Sequence, residues 1–240
     1  MGLRGIILAY LAFLLSIGLY GQSGKTYDYG KEFIWGFNKN TAGGLIGGVI
    51  FRASRKKSQR MYESVGLELM NIKHQKERRR QSTIGNFYIY GKLNHFYTIR
   101  LQYGRELIIF TKAEDQGVEI KANGAVGPSI GVLSPYFVEV MLDGMYNSTI
   151  RVPYNSSIYP NQIAGSGRIF QGLSQSSVRP GANLKLSLSF EMGTLKTHVT
   201  GFEVGFLLDA YAGDINIMAN THNPSIFPTS FISLFYGTRK

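Results

Sequence analysis

The sequence offers four side chains suited to acid–base chemistry near neutral pH: His74, His95, His198 and His222. Hydrolysis through a hydroxyl needs a His beside a Ser or Thr, and an acid to orient the imidazole. His222 precedes "NPS", but no Asp or Glu lies beyond Asp214. His198, Thr200 and Glu203 have the right types, yet in a strand Glu203 has the opposite parity to His198. His74 and His95 flank one polar segment and Asp209 nears the same rim, which resembles the raw material of a protease site. Single surface histidines account for all four more simply, so no catalytic residue is expected. The chain has no Cys, which removes disulfides, zinc–thiolate centres, cysteine nucleophiles and an acylated-cysteine anchor. No metal or cofactor is expected.

Charge is the other chemical resource. The run "KHQKERRR" (73–80) holds five Lys or Arg and one Glu. Its cations Lys76, Arg78, Arg79 and Arg80 suit phosphate groups, which Arg grips bidentately. A solvated charge run is an equal reading of the same residues.

The elements that must position these groups are strands. Eight candidates follow one another: 31–38, 45–53, 60–73, 95–112, 118–142, 183–192, 198–212 and 229–237. If the first runs outward, the connections at 54–58, 113–117 and 193–197 all fall at the end that holds both termini, and all are tight. The far end has long connections at 74–94, 143–181 and 213–228. Short turns at one end and long loops at the other mark an outer-membrane barrel. The expected fold is therefore all-β, an eight-stranded antiparallel up-and-down transmembrane barrel with long extracellular loops.

Alternation supports this. In "HFYTIRLQYGRELIIFT" (95–111), Tyr97, Ile99, Leu101 and Tyr103 share one parity, and Thr98, Arg100, Gln102 and Glu106 the other. Leu184, Leu186, Leu188 and Phe190 oppose Lys185, Ser187, Ser189 and Glu191. A soluble lipocalin-type barrel alternates too, with its apolar face inward. The loop asymmetry, the near-absence of charge on the apolar face and the lack of a C-terminal helix favour the membrane. The lumen then holds Arg52, Glu68, Arg100, Glu106, Glu119, Lys121, Lys185, Glu191 and Glu203. An eight-stranded interior is just filled by side chains, so paired charges there form a plug rather than a pore.

Two stretches fit less easily. Residues 118–142 exceed the roughly 9–11 residues of a crossing strand and contain Pro128 and Pro135. They read as a bulge at "GPS" followed by a strand rising above the membrane. Segment 143–181 shows no clear period and reads as one long extracellular loop. Its Tyr146, Tyr154, Tyr159 and Phe170, set among Ser, Asn and Pro, suggest a surface for protein contact.

Bulk properties agree. The 240 residues carry 15 Tyr, 15 Phe and 29 Gly with only 17% charged residues, a β-rich composition. Residues 1–21 pair Arg4 with an apolar run from Ile6 to Leu19 and small residues around Gly21, as a cleaved secretory signal does. The run is short of the roughly 20 residues of a spanning helix. The mature chain, 22–240, reads as a single barrel domain in the bacterial outer membrane with periplasmic termini.

The stretches "YGKLNHFYTIRLQYGRE", "GAVGPSIGVLSPYFVEV", "VRPGANLKLSLSFEMG", "FEVGFLLDAYAGDINIMA" and "FISLFYGTRK" resemble a family of small outer-membrane β-barrels of Bacteroidota, mostly of unknown function. The resemblance spans nearly all of the mature chain. It implies an outer-membrane barrel and brings no catalytic residues. Small barrels of that phylum serve as accessory subunits of barrel-assembly, type 9 secretion or SusCD-type uptake machines. The expected function is thus a non-enzymatic structural or accessory subunit of such an envelope complex. Its partners would be membrane lipid, lipopolysaccharide and other outer-membrane proteins, not nucleic acid. The alternative is an enzyme acting on lipid A or peptides at the outer rim.

Overall fold

The computed structural model describes residues 29–44, 47–111, 118–142, 148–168, 170–192 and 197–240. The expected signal segment, the turn at 113–117, most of that at 193–197, and Tyr146 lie outside these residues. Thirteen strands occur among the described residues: β1 (Lys31–Asn40), β2 (Gly48–Lys56), β3 (Met61–Ile72), β4 (Arg79–Gln81), β5 (Phe87–Ile89), β6 (Asn94–Phe110), β7 (Glu119–Pro135), β8 (Phe137–Met141), β9 (Thr149–Pro153), β10 (Ile163–Ser166), β11 (Ser177–Glu191), β12 (His198–Tyr211) and β13 (Ile226–Arg239).

Eight of them close an antiparallel barrel in the order β1-β13-β12-β11-β7-β6-β3-β2. Strict alternation makes these strands. In β13, Phe227, Thr229, Phe231, Ser233, Phe235, Gly237 and Arg239 point in, and each intervening residue is exposed. The apolar face lies outside: Phe206 is 71% and Leu234 66% exposed, whereas Glu106 and Glu203 are fully buried. This arrangement rules out the lipocalin alternative, because a soluble barrel turns its apolar face inward. A largely apolar exterior over a charged interior matches a lipid solvent. On β6 the outward face from Tyr97 to Leu107, apolar except for Arg105 near its inner end, covers about 25 Å, the usual height of such a belt. Closure leaves no barrel edge unpaired, as a hydrocarbon surrounding demands.

The Gly127–Pro128–Ser129 stretch holds no bulge. Both β6 and β11 keep one register past it, Arg100↔Ser129 resuming as Tyr103↔Val126 on one side and Ala182↔Pro128 continuing on the other. Pro128 removes one donor, and the neighbouring strand passes close to Gly127. A Cβ there would lie 1.9 Å from the Leu101 carbonyl oxygen. The register shift in β6–β7 comes instead between Ile108 and Phe110.

Above the belt the chain is ordered rather than irregular. Strands β10-β8-β9 form a small sheet and β4–β5 a hairpin. Segment 143–181 therefore contributes two cap strands, and its last five residues open β11, where Ser177 to Gly181 pair with β7. The expected strand 118–142 divides into β7 and β8 at Tyr136. The cap packs on Tyr88, Tyr136, Val138, Tyr154 and Ile163. Tyr154, expected as a contact residue, is 5% exposed and belongs to this core. A second cluster, Ile72, Phe96, Leu133, Tyr211 and Phe227 with Ile215, Ile217 and Met218 of the last loop, stoppers the outer mouth of the barrel.

Candidate functional site

Below that stopper the lumen is filled by charge. Arg100 grips Asp209 bidentately (Nε–Oδ1 2.9 Å, Nη2–Oδ2 2.6 Å) and reaches Glu68 at 3.2 Å. Lys185 bridges Glu68 (2.7 Å) and Glu203 (3.2 Å). Arg52 lies 3.2 Å from Glu203 and 3.1 Å from Glu106, and Ser54 donates to Glu106 at 2.7 Å. At the inner end Lys121 contacts Glu32 (3.1 Å) and Glu119 (3.5 Å). Arg239 binds Glu32 (2.6 Å), Glu119 (3.0 Å) and Glu191, with its guanidinium 3.9 Å from the Tyr29 ring centroid. Tyr29 stacks on Tyr62 and closes the inner mouth.

All nine residues that parity assigns to the lumen line it and join one chain of pairs. Glu32, Asp209 and Arg239 belong to it as well. Glu32 shares the parity of Ile34 and Asn38. Asp209 shares that of Glu203 and is lumenal, not at a rim. Arg239 shares that of Ser233 but lies past the expected end of the last strand. Every barrel strand supplies at least one of these groups. An ion pair removed from water is stable only when fully partnered, and here each charge has at least one partner of opposite sign.

The histidines do not assemble. His74 accepts from the Lys76 amide at Nδ1 and donates from Nε2 to the His222 carbonyl, so backbone groups occupy both nitrogens. His198 stacks on Tyr236 at the inner end, and Glu203 lies in the lumen. His95 is different. It lies above the belt and is the cross-strand partner of Ser134, beside residues 166–168 and 170–172. Burial and the charges of Lys92 and Lys73 push its imidazolium down to about 4, and no carboxylate figures among these influences.

The basic run forms one wall of the cap. Lys76 donates to the Thr221 hydroxyl at 2.9 Å, Arg80 covers the Tyr90 ring at 4.9 Å, and Arg78 is exposed. Arg79 opens on a recess of about 290 Å³ between cap and barrel. Phe87, His95, Ser134, Arg168 and Phe170 also line it. Of the expected contact residues, Tyr159 (70%) and Phe170 (58%) are exposed. Arg168 escaped sequence reading; its only signal is a cation two residues before an aromatic in a polar stretch.

No protein-family model matches the chain, and no curated protein does. Among solved structures it is similar to Ail, the attachment invasion locus protein of Yersinia pestis, in complex with the heparin analogue sucrose octasulfate. That match has 10% identity and a TM-score of 0.41, and covers 89% of this chain and 100% of that one. It is also similar to Neisserial surface protein A, with 7% identity and a TM-score of 0.40, over 88% and 96% of the two chains.

Proposed function

We propose that this chain is a bacterial outer-membrane protein that works without catalysis, as a structural or accessory subunit of a larger envelope complex, docking partners through its cap. The observation that carries the reading is a filled lumen beneath a folded cap. A barrel packed with its own ion pairs and stoppered at both mouths offers no conduit, so its accessible chemistry is on the outside. The cap displays Ile84, Phe87, Ile150, Tyr159 and Leu173 to solvent, and exposed apolar and aromatic groups on a rigid base suit protein contact. The Lys240 carbonyl accepts from the Gly30 and Lys31 amides, so both ends of the barrel chain meet opposite the cap. That supports termini on the periplasmic side. The basic wall beside the belt suits lipopolysaccharide phosphates rather than nucleic acid.

The test is purification of tagged protein in mild detergent, with mass spectrometry of what accompanies it. Stoichiometric co-purification with a larger barrel or a secretion component is expected. A variant carrying Ile84→Ser, Ile150→Ser and Tyr159→Ser should stay folded and lose that partner at least tenfold. A wild-type monomer carrying only lipid would defeat the docking role.

A rim enzyme has one observation in its favour, the facing of His95 and Ser134. Against it, His95 has no orienting carboxylate and little basicity. Lipid A and peptide profiles of cells with and without the protein are expected to match, as are those of His95→Ala cells. A new deacylated or cleaved product that disappears in His95→Ala would reverse this assignment.

A further inference from the structure

The recess between cap and barrel combines features that the docking role does not use. Arg79 of the hairpin and Arg168, just after β10, both line it. Neither guanidinium makes an ion pair among the described residues, and the lining contains no carboxylate. The walls are aromatic. His95 stacks on Tyr97 (6.1 Å, 20°) and meets Tyr136 edge-on at 5.3 Å. Phe170 reaches the Tyr97 ring at 6.0 Å.

Phe170 gets there with a φ of 66°. A bulky side chain rarely takes the left-handed region, and such strain persists where surroundings over-determine it, often at ligand clamps. Tyr97 is the top residue of the apolar belt on β6. The recess therefore opens where hydrocarbon gives way to headgroups, with cations above and aromatic faces beside. Below it the outward faces of Ile99 and Val132 continue into the belt.

We infer that this recess binds the phosphorylated sugar headgroup of an outer-leaflet glycolipid. The inference rests on the membrane-barrel reading. The two guanidiniums take the phosphate oxygens in forked pairs. Phe170 offers its exposed ring face to the sugar. The acyl chains descend over Tyr97, Ile99 and Val132. A volume of about 290 Å³ lies at the lower end for small-molecule sites, fitting one substituted sugar ring rather than an oligosaccharide. The partial exclusion of water by cap and belt strengthens each ionic contact.

The experiment uses the full chain in lipid nanodiscs, with native mass spectrometry to count retained glycolipid. The probes are a phosphorylated disaccharide glycolipid, its dephosphorylated counterpart, phosphatidylglycerol, and soluble glucosamine 1-phosphate. Arg79→Gln with Arg168→Gln should weaken the phosphorylated glycolipid at least tenfold, and Phe170→Gly several-fold. These residues lie on the cap surface, so heat-modifiable gel migration should remain that of the wild type. Dephosphorylated glycolipid and phosphatidylglycerol should bind at least tenfold more weakly. The soluble phosphosugar should rank the variants alike but bind more weakly than the lipid. Glycolipid retention unchanged in the double Arg variant would overturn the inference. So would phosphatidylglycerol binding equally well, or the soluble sugar binding as tightly as the lipid. A chain that does not insert into the discs at all refutes the membrane reading instead, which keeps the two failures apart.

Discussion

Replacing Arg239 with alanine is expected to destabilise the folded barrel by about 3–5 kcal/mol, the usual loss when one partner of a buried ion pair is removed. Its guanidinium is the hub of the inner end. It contacts Glu32, Glu119 and Glu191 and covers Tyr29. Without it, Lys121 alone faces Glu32 and Glu119, and Glu191 loses its cation. Among the described lumenal groups seven are acidic (Glu32, Glu68, Glu106, Glu119, Glu191, Glu203, Asp209) and five basic (Arg52, Arg100, Lys121, Lys185, Arg239). Removing one base from an interior already short of bases leaves carboxylates that must ionise unpaired or take up protons. Trp35, the single tryptophan, lies on the lipid face of β1 beside Tyr236. Its emission reports unfolding in a urea series in detergent. Arg239→Lys should recover only part of the loss, since one ammonium cannot span three carboxylates. An unchanged midpoint for Arg239→Ala would mean the inner cluster is not stabilising.

The second large effect is expected at Arg100 and Asp209. Arg100→Met leaves Asp209 buried beside Ser129 with no cation, and Asp209→Leu leaves Arg100 with Glu68 alone. Each single change should cost about 3–5 kcal/mol. The double variant should cost well under their sum, because an apolar pair of similar volume replaces a desolvated ionic one without stranding either charge. The reading is a double-mutant cycle on urea midpoints. Additivity within about 0.5 kcal/mol would show that the two side chains do not act as a pair.

How far these features could be read from sequence depends on strand length. β6 and β13 alternate without interruption over more than a dozen residues, so parity assigns every side chain and the lumen residues follow. Arg239 follows the same parity but sits beyond Gly237, where the visible pattern stops. The cap strands run only three to five residues, too few for a period-two signal. Ser177–Gly181 is masked by Pro180 and Gly181, residues that ordinarily mark turns, though here β7 and β12 hold them in the barrel. Tyr154 misleads for another reason. An aromatic amid Asn, Ser and Pro looks exposed, but its neighbours in the core, Tyr88, Tyr136 and Ile163, come from three other segments of the chain. The recess is harder still, since Arg79, His95, Ser134 and Phe170 come from four segments that only barrel closure and the cap bring together.

The wiring of the lumen also has a temporal side. Lys185 on β11 meets Glu68 on β3, Arg52 on β2 meets Glu203 on β12, and Arg239, the penultimate residue, meets Glu32 on the first strand. None of these pairs joins strands that a nascent hairpin would already hold together. A half-assembled sheet already pairs Arg100 with Glu68 and Lys185 with Glu203 on neighbouring strands, but Arg239 meets Glu32 only when β13 zips onto β1. Chains that stop short of β13 would leave Glu32 and Glu191 without this guanidinium, so the closing strand also completes the ion pairing of the first one.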